Sequence, residues 1–263
     1  MLAAALALHI EVEVVETGRF AVVTDLSIAR DRRNLVVRGF AQLAQPDDFE
    51  FRITSDVPLS GGLGTSAAAY VAGLLAADSI FELDADVLAL ASELEGHPDN
   101  VAAALLGGVV VCADAQAVRF DPPAGLEAVL VVPHRSVRTA KARAALPAQV
   151  PMGDAVFNVA HSSLLVLGLA QGRLDLVARG LADRLHQPRR AALYPESMAM
   201  LARATEFGAL GASISGAGPT VLVWSQYDAT AGVVERLRAE ADGWADVMRV
   251  PFEPQGADVR ALT

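Results

Sequence analysis

Between Asp56 and Ala77 the chain reads Asp-Val-Pro-Leu-Ser-Gly-Gly-Leu-Gly-Thr-Ser-Ala-Ala-Ala-Tyr-Val-Ala-Gly-Leu-Leu-Ala-Ala. This stretch constrains the fold more than any other, because it forces a strand into a helix through a loop almost bare of side chains. Just before it, Phe49, Phe51 and Ile53 alternate with Glu50, Arg52 and Thr54, the period of a half-buried strand. Pro58 ends that strand, and Gly61, Gly62 and Gly64 form a loop without Cβ obstruction. Thr65 and Ser66 then open an Ala/Leu-rich helix free of proline. A strand, a glycine loop, two hydroxyls and a helix N-terminus together make a cradle for phosphate. Its backbone N–H groups and the positive end of the helix dipole face a polyanion. The hydroxyls are placed to reach a phosphate-bound Mg²⁺.

Other readings compete for the same residues. The plainest is a glycine turn feeding a buried helix. Gly62-Leu63-Gly64-Thr65-Ser66-Ala67 also fits the dinucleotide pattern G-x-G-x-x-A, with Asp84 near the position of its ribose-binding acid. That fit is poor in context, since a proline and an extra glycine separate strand from motif and no second strand precedes Asp84. A Walker loop is excluded, because Gly-Lys-Ser/Thr occurs nowhere.

The second informative stretch is Glu93-Leu94-Glu95-Gly96-His97-Pro98-Asp99-Asn100-Val101-Ala102. Residues 86–95 read as an amphipathic helix with an aspartate near its start. Gly96 terminates it, Pro98 forces a turn, and Asp99 or Asn100 caps a short helix that ends at Gly107-Gly108. Capping alone therefore accounts for these residues, with His97 incidental. The functional account is that a carboxylate, an imidazole and an amide converge in one loop. Mg²⁺ takes one or two carboxylates beside phosphate oxygens, and a small polar amino acid needs donors and acceptors such as His97 and Asn100.

At 263 residues the chain can bury a sizeable core. Net charge of −10 argues against a nucleic-acid partner, although ATP is still handled by a local dipole and a metal ion. The single cysteine, Cys112, rules out an intrachain disulfide, reads as a small buried hydrophobe and fits a reducing cytoplasm. The opening Met1 to Leu8 lacks a basic n-region and a cleavage site, so no signal peptide is expected. No uninterrupted apolar run reads as a membrane span.

The remaining elements follow from periodicity. Ile10 to Val15 alternates as a strand, and Phe20 to Thr24 is expected to return beside it as a hairpin across Thr17-Gly18. Asn34 caps a helix to about Ala44. Val109 to Cys112 and Leu126 to Pro133 read as strands. The run from Asp154 to Leu169 reads as a core helix, with Asn158 and His161 as satisfied polar groups. Lys141 reads as part of a basic surface turn and His186 as structural. Ala209 to Val223 reads as strand, glycine turn and strand, Val233 to Ala241 as a helix, and Asp246 to Phe252 as a closing strand.

Several of these motifs resemble one family. Pro58-x-x-x-Gly62-Leu63-Gly64-Thr65-Ser66-Ala67-Ala68 resembles the ATP-phosphate loop of the GHMP kinases. Glu95-Gly-His97-Pro-Asp-Asn100-Val-Ala before a Gly-Gly strand resembles the homoserine kinases within them. Thr139-x-x-x-Arg143-x-x-Leu-Pro147, Asp183-Arg-Leu-His-Gln-Pro-Arg-Arg190 and Ser215-Gly216-Ala-Gly218-Pro219 look like further segments of that family. The resemblance spans residues 58 to 220. It implies ATP phosphates on Pro58, Gly61, Gly62, Leu63, Gly64, Thr65, Ser66 and Ala67, and Mg²⁺ on Ser66 and Glu95, with Glu93 as the second choice. It places L-homoserine on His97, Asn100 and Arg190, the arginine fork suiting a carboxylate. Ser215, Gly216 and Gly218 become a loop supporting the active site. Members often carry arginine where His161 stands, so His161 receives no role.

The family fold this implies is α+β in two lobes: a ribosomal S5 domain 2-like lobe over residues 1–124 and a ferredoxin-like lobe over 125–263. The expected activity is ATP-dependent phosphorylation of L-homoserine in threonine biosynthesis, in the cytoplasm, without nucleic acid or membrane, with a homodimer as candidate assembly. The alternatives are another GHMP kinase, such as one acting on mevalonate, and a non-catalytic ATP-binding homologue. The departure is at the start. Family members open with Pro-Ala-x-x-Ala-Asn-Leu-Gly-x-Gly-Phe-Asp, which Met1 follows here. That difference implies an upstream start, a shortened chain or reduced activity, and a first sheet with an exposed edge.

Overall fold

The computed structural model describes residues 1–58, 61–114, 116–137 and 139–261. Leu59 and Ser60 of the glycine loop and the Thr139 side chain lie outside the described residues. The chain divides into two compact units that are not contiguous in sequence. The first comprises Met1–Val57, Gly64–Phe120 and Glu253–Thr263, and the second Pro58–Leu63 and Asp121–Phe252.

In the first unit, β1 (Leu2–Ala4), β2 (Ile10–Glu16) and β3 (Ala21–Val23) precede α1 (Leu35–Phe40) and β4 (Phe49–Ser55). Then come α2 (Thr65–Phe81), α3 (Val87–Glu95), α4 (Asp99–Leu106), β5 (Val109–Ala113) and β6 (Gln116–Phe120). They form two three-stranded sheets, ordered β2-β4-β3 and β1-β5-β6, with β1 at an edge. The alternation in β4 is real: Phe49, Phe51 and Ile53 are buried while Arg52 points to solvent and pairs with Glu50 and Glu13. Phe51 meets Phe40 edge-on at 5.1 Å, anchoring a core with Val36, Val37 and Ala77. A Cβ on Gly73 would lie 1.9 Å from the Val36 carbonyl, so α1 and α2 pack with their backbones in contact. Cys112 is buried and its thiol is pushed up by burial, as its apolar run predicts.

Three local expectations need correction here. The hairpin across Thr17-Gly18 does not form: β4 lies between β2 and β3, antiparallel to the first and parallel to the second. The parallel pair is possible because α1 supplies the crossover that parallel strands require. Asn34 does cap α1, accepting from the Val36 N–H, but the helix stops at Phe40. Neither Asp99 nor Asn100 caps α4, because Pro98 holds that position without a side-chain bond.

In the second unit, β7 (Leu126–Pro133) is followed by α5 (Thr139–Ala144), α6 (Met152–Gln171), α7 (Leu174–Gly180) and α8 (Gln187–Arg190). After these come α9 (Pro195–Arg203), β8 (Gly211–Ile214), β9 (Val221–Gln226), α10 (Tyr227–Glu240) and β10 (Ala245–Val250). The antiparallel sheet is ordered β10-β7-β9-β8. Numbered along the chain this is 4-1-3-2, the β-α-β-β-α-β ferredoxin-like arrangement. Val129, Val131, Val221 and Val223 pack against Met200 and Ala204 on one side of the chain's order and Val233 and Leu237 on the other. The helix expected from Val233 begins six residues earlier, at Tyr227.

α6 is not a core helix. Its buried residues are Gly168 and Leu169, while Met152, Val156 and Val159 are exposed at 78%, 60% and 66%. Apolar composition records a preference for leaving water, not the presence of a covering surface. By length and composition alone this helix is long and apolar enough to cross a membrane, although Asp154, Asn158 and His161 interrupt its apolar run. Its packing is with α7, where Gly168 and Gly180 each sit against backbone or Cβ atoms of the other helix.

Candidate active site

The glycine loop passes from the second unit to the first between Leu63 and Gly64. On the first-unit side Gly64 is the N-cap of α2 in the left-handed region, φ 69°, with no capping side chain. Thr65 and Ser66 are therefore the first helical residues, not caps. The first N–H groups of a helix have no intrahelical partner, and no acidic residue stands in the first turn of α2 to neutralise them. The Thr65 hydroxyl is buried and has no hydrogen-bond partner among the described residues.

α3 brings Glu95 to this helix start. Asp86 caps α3 by accepting from the Ala89 N–H, and Gly96, at φ 83°, ends it. The Ser66 hydroxyl donates to Glu95 Oε1 at 2.6 Å, so residues from the two informative stretches meet. His97 follows at once. Its Nδ1 lies 2.8 Å from Asp99 Oδ1 and its Nε2 3.7 Å from Glu95 Oε1. A carboxylate only accepts, which puts a proton on Nδ1. Asn100 stands beside the loop: a Cβ on Gly64 would be 3.5 Å from Asn100 Cγ. Ser66, Glu95, His97, Asp99 and Asn100 thus form one polar cluster. Asp99 escaped the sequence reading as a site residue because a carboxylate after proline reads as a cap.

On the second-unit side, Gly61 and Gly62 lie against the loop after β8. The Ser215 hydroxyl donates to the Gly62 carbonyl at 2.6 Å, and the Thr220 hydroxyl to the Gly61 carbonyl at 2.9 Å. A Cβ on Gly62 would lie 2.1 Å from the Ser215 carbonyl, at a φ of 98° that disfavours any side chain. The loop of Ser215, Gly216 and Gly218, expected to support the site, is thus in direct contact with Gly61 and Gly62.

The Asp183–Arg190 segment sits in the same unit. Asp183 accepts from the N–H groups of Leu185, His186 and Gln187 and from the Asn158 amide, 2.6 Å away. Burial is the largest single influence on its carboxyl and acts to raise it. Those hydrogen bonds together outweigh burial and hold it below its ordinary value. Gln187 Oε1 accepts from the Ile214 N–H at 2.7 Å. Arg190 is buried, its Nε donating to the Ala142 carbonyl at 3.1 Å and Nη1 to the Gly216 carbonyl at 3.2 Å. Tyr194, which the sequence did not single out, donates to the Ala217 carbonyl at 3.3 Å. Burial pushes its phenol up, and nearby Arg190 opposes this. Lys141 and Arg143 of α5 are exposed, as a surface turn implies. Asn158 also accepts from the Arg184 N–H, and His161 Nδ1 bonds the Phe157 carbonyl.

Comparison with known proteins gives a consistent result. The GHMP kinases N terminal domain profile matches residues 34–108, and the GHMP kinases C terminal profile residues 165–242. A homoserine kinase of Gloeobacter violaceus is 41% identical over 261 residues, covering 90% of this chain and 85% of that protein. One of Deinococcus radiodurans is 48% identical over 177 residues, or 65% of this chain and 58% of that one. The crystal structure of homoserine kinase from Cytophaga hutchinsonii superposes with a TM-score of 0.86 at 28% identity, covering 97% of this chain and 90% of that chain.

Proposed function

The chain belongs to the homoserine kinases of the GHMP kinase family, and we propose that it transfers the γ-phosphoryl group of ATP to the hydroxyl of L-homoserine. The homoserine oxygen forms a bond to the γ-phosphorus as the bond to the bridging oxygen of ADP breaks. The hydroxyl proton is released, and O-phospho-L-homoserine, an intermediate of threonine biosynthesis, results. The observation that carries this reading is the 2.6 Å bond between Ser66 and Glu95 at the start of α2. It joins the helix that follows the phosphate loop to a carboxylate that lies near His97.

The residues perform this chemistry by position and charge. The free N–H groups at the start of α2 take phosphate oxygens, and glycines at 62 and 64 keep side chains away from them. The donor set fits Mg²⁺: Glu95 offers a carboxylate and Ser66 a hydroxyl, both hard oxygens. Among the described residues no group of three or more His, Cys, Asp or Glu is placed to hold a metal by itself, so phosphate oxygens would complete its coordination. When bound, the ion neutralises charge on the phosphates. His97 and Asn100 supply polar contacts for the acceptor, and Asp99 fixes the imidazole's tautomer. Arg190 is assigned to the homoserine carboxylate through its remaining N–H groups. No general base is assigned; phosphoryl transfer through a loose transition state draws mainly on alignment and charge stabilisation. The reading includes a cytoplasmic location, with which the single buried cysteine, Cys112, is consistent.

The test is an ADP-release assay with ATP, Mg²⁺ and L-homoserine, run beside mevalonate and a no-acceptor control. Homoserine-dependent turnover is expected. Turnover on mevalonate alone would move the protein to another branch of the family. ATP binding with no turnover on either would make it a non-catalytic homologue.

A further inference from the structure

We propose that Arg190 is also a positioning residue for the nucleotide: through the Gly216 carbonyl it fixes the loop that holds Gly61 and Gly62, and so governs ATP affinity before any acceptor binds. The inference rests on the reading of Gly61 to Ser66 as the ATP-phosphate loop. It gives Arg190 work on the opposite substrate from the one its sequence motif implies.

Arg190 is only 7% exposed. A guanidinium taken this far out of water needs directed partners to offset its lost hydration. Two of its N–H groups are committed to backbone carbonyls distant in sequence, Nε to Ala142 and Nη1 to Gly216. A residue kept only to catch a carboxylate would hold its fork free.

The next residues of the loop are held from the same side. The Tyr194 hydroxyl donates to the Ala217 carbonyl, and a Cβ on Gly218 would lie 2.9 Å from Tyr194 Cζ. The buried Ser197 hydroxyl donates to the Pro219 carbonyl at 2.7 Å. Residues 216 to 219 are therefore clamped one after another by α8, α9 and the turn between them. Gln187, at the head of α8, extends the clamp to the end of β8 by accepting from the Ile214 N–H.

The other side of the same loop carries the glycines. Ser215 and Thr220 bond the carbonyls of Gly62 and Gly61. A Cβ on Gly61 would lie 2.3 Å from the Gly218 carbonyl, and one on Gly216 3.4 Å from Gly62 Cα. Contacts this close leave no slack. If Gly216 shifts because its guanidinium partner is gone, Gly61 and Gly62 shift with it, and the N–H groups of that turn leave the phosphates. A misplacement of about 1 Å is enough to cost function.

The experiment is calorimetric titration of a non-hydrolysable ATP analogue with Mg²⁺, in the absence of homoserine, into the full chain. Wild type, Arg190→Gln, Arg190→Lys, Ser215→Ala and the Arg190→Gln/Ser215→Ala double variant are compared, with an unfolding midpoint for each. Loss of one hydrogen bond to a charged donor weakens nucleotide binding about tenfold in Arg190→Gln. Arg190→Lys, which keeps charge and a donor but not the fork, falls between. Ser215→Ala weakens binding without touching Arg190. The double variant is no weaker than the worse single one, because both changes cut the same chain of contacts. If Arg190→Gln does not fold, Tyr194→Phe replaces it and must weaken the nucleotide as Ser215→Ala does. Unchanged nucleotide affinity in Arg190→Gln with only the homoserine KM raised would overturn the proposal, as would additive losses in the double variant. Failure of the wild type to bind the analogue would instead overturn the nucleotide reading beneath it.

Discussion

Two stretches of this chain crowd ionisable side chains into a few residues, and they use them in opposite ways. From Glu95 to Asp99 the charged groups face other side chains. Glu95 takes the Ser66 hydroxyl and lies near His97, His97 leans on Asp99, and the Thr65 hydroxyl at the nearby helix start has no partner among the described residues. From Asp183 to Arg190 the polar groups turn largely to backbone. Asp183 accepts amide N–H groups, Gln187 accepts the Ile214 N–H, and Arg190 donates to two carbonyls. The first arrangement leaves donors and acceptors open to a ligand. The second spends most of them on backbone, which fixes a position and leaves mainly the remaining Arg190 N–H groups for a ligand. Residue types alone do not separate a site from a brace; what each polar atom bonds to does.

The sharpest way to break this comparison is Glu95→Ala. If the first cluster is a site, kcat falls by on the order of 10² to 10³ while the unfolding midpoint barely moves, as when a group aimed at transition-state charge is removed. A chain that loses its fold instead would make Glu95 a brace as well. Asp99→Asn asks a finer question of the same cluster. An amide can still hydrogen-bond His97 but no longer fixes which nitrogen carries its proton. The kcat/KM for homoserine is expected to fall roughly tenfold, about the cost of one lost or misdirected hydrogen bond to the acceptor. The check is kcat/KM for homoserine against kcat/KM for ATP, with the loss confined to homoserine.

The same distinction explains what could be read from the sequence. Much of what neighbours along the chain set was legible: β4 from its alternation, α3 from Asp86 and Gly96, the start of α1 from the Asn34 cap, β7 to the residue; the end of α1, the cap of α4 and the start of α10 were not. The loop glycines were also legible, since a run of residues without Cβ announces close backbone approach. The larger failures depended on a partner far away. Nothing local in residues 20–24 says that β4, rather than β2, will lie beside them. Apolar residues at 152, 156 and 159 carry no sign that the second unit leaves them uncovered. Arg190 was read as a substrate-binding arginine, and nothing in its own segment shows its bonds to the carbonyls of Ala142 and Gly216; Asp99 was read as a cap, although its partner His97 stands only two residues away. Family resemblance supplied candidate roles for such residues; contacts supply the physical reasons.

The smallest effect belongs to Asp183, and it tests the other half of the comparison. Its carboxyl lies below the ordinary aspartate value of 3.8, since amide bonds from Gln187, Asn158, Leu185 and His186 outweigh the burial that would raise it. A carboxyl depressed on folding binds fewer protons in the folded chain than in the unfolded one. Its contribution to stability is therefore complete above 3.8 and is lost as pH falls through the lower folded value. Asp183→Ala removes what amounts to an N-cap and is expected to cost about 1 kcal/mol at neutral pH. For a chain of this size that lowers the midpoint by about 2–4 °C. Measured again below pH 3.8, the gap between wild type and variant should narrow, because the wild-type carboxyl is then taking up its own proton. Since a brace acts by holding α8 and not by touching a reactant, kcat at saturating substrate should stay near wild type. A gap that stays constant with pH would mean the carboxylate is not what holds this turn. A collapse of kcat with stability intact would move Asp183 from the brace into the site.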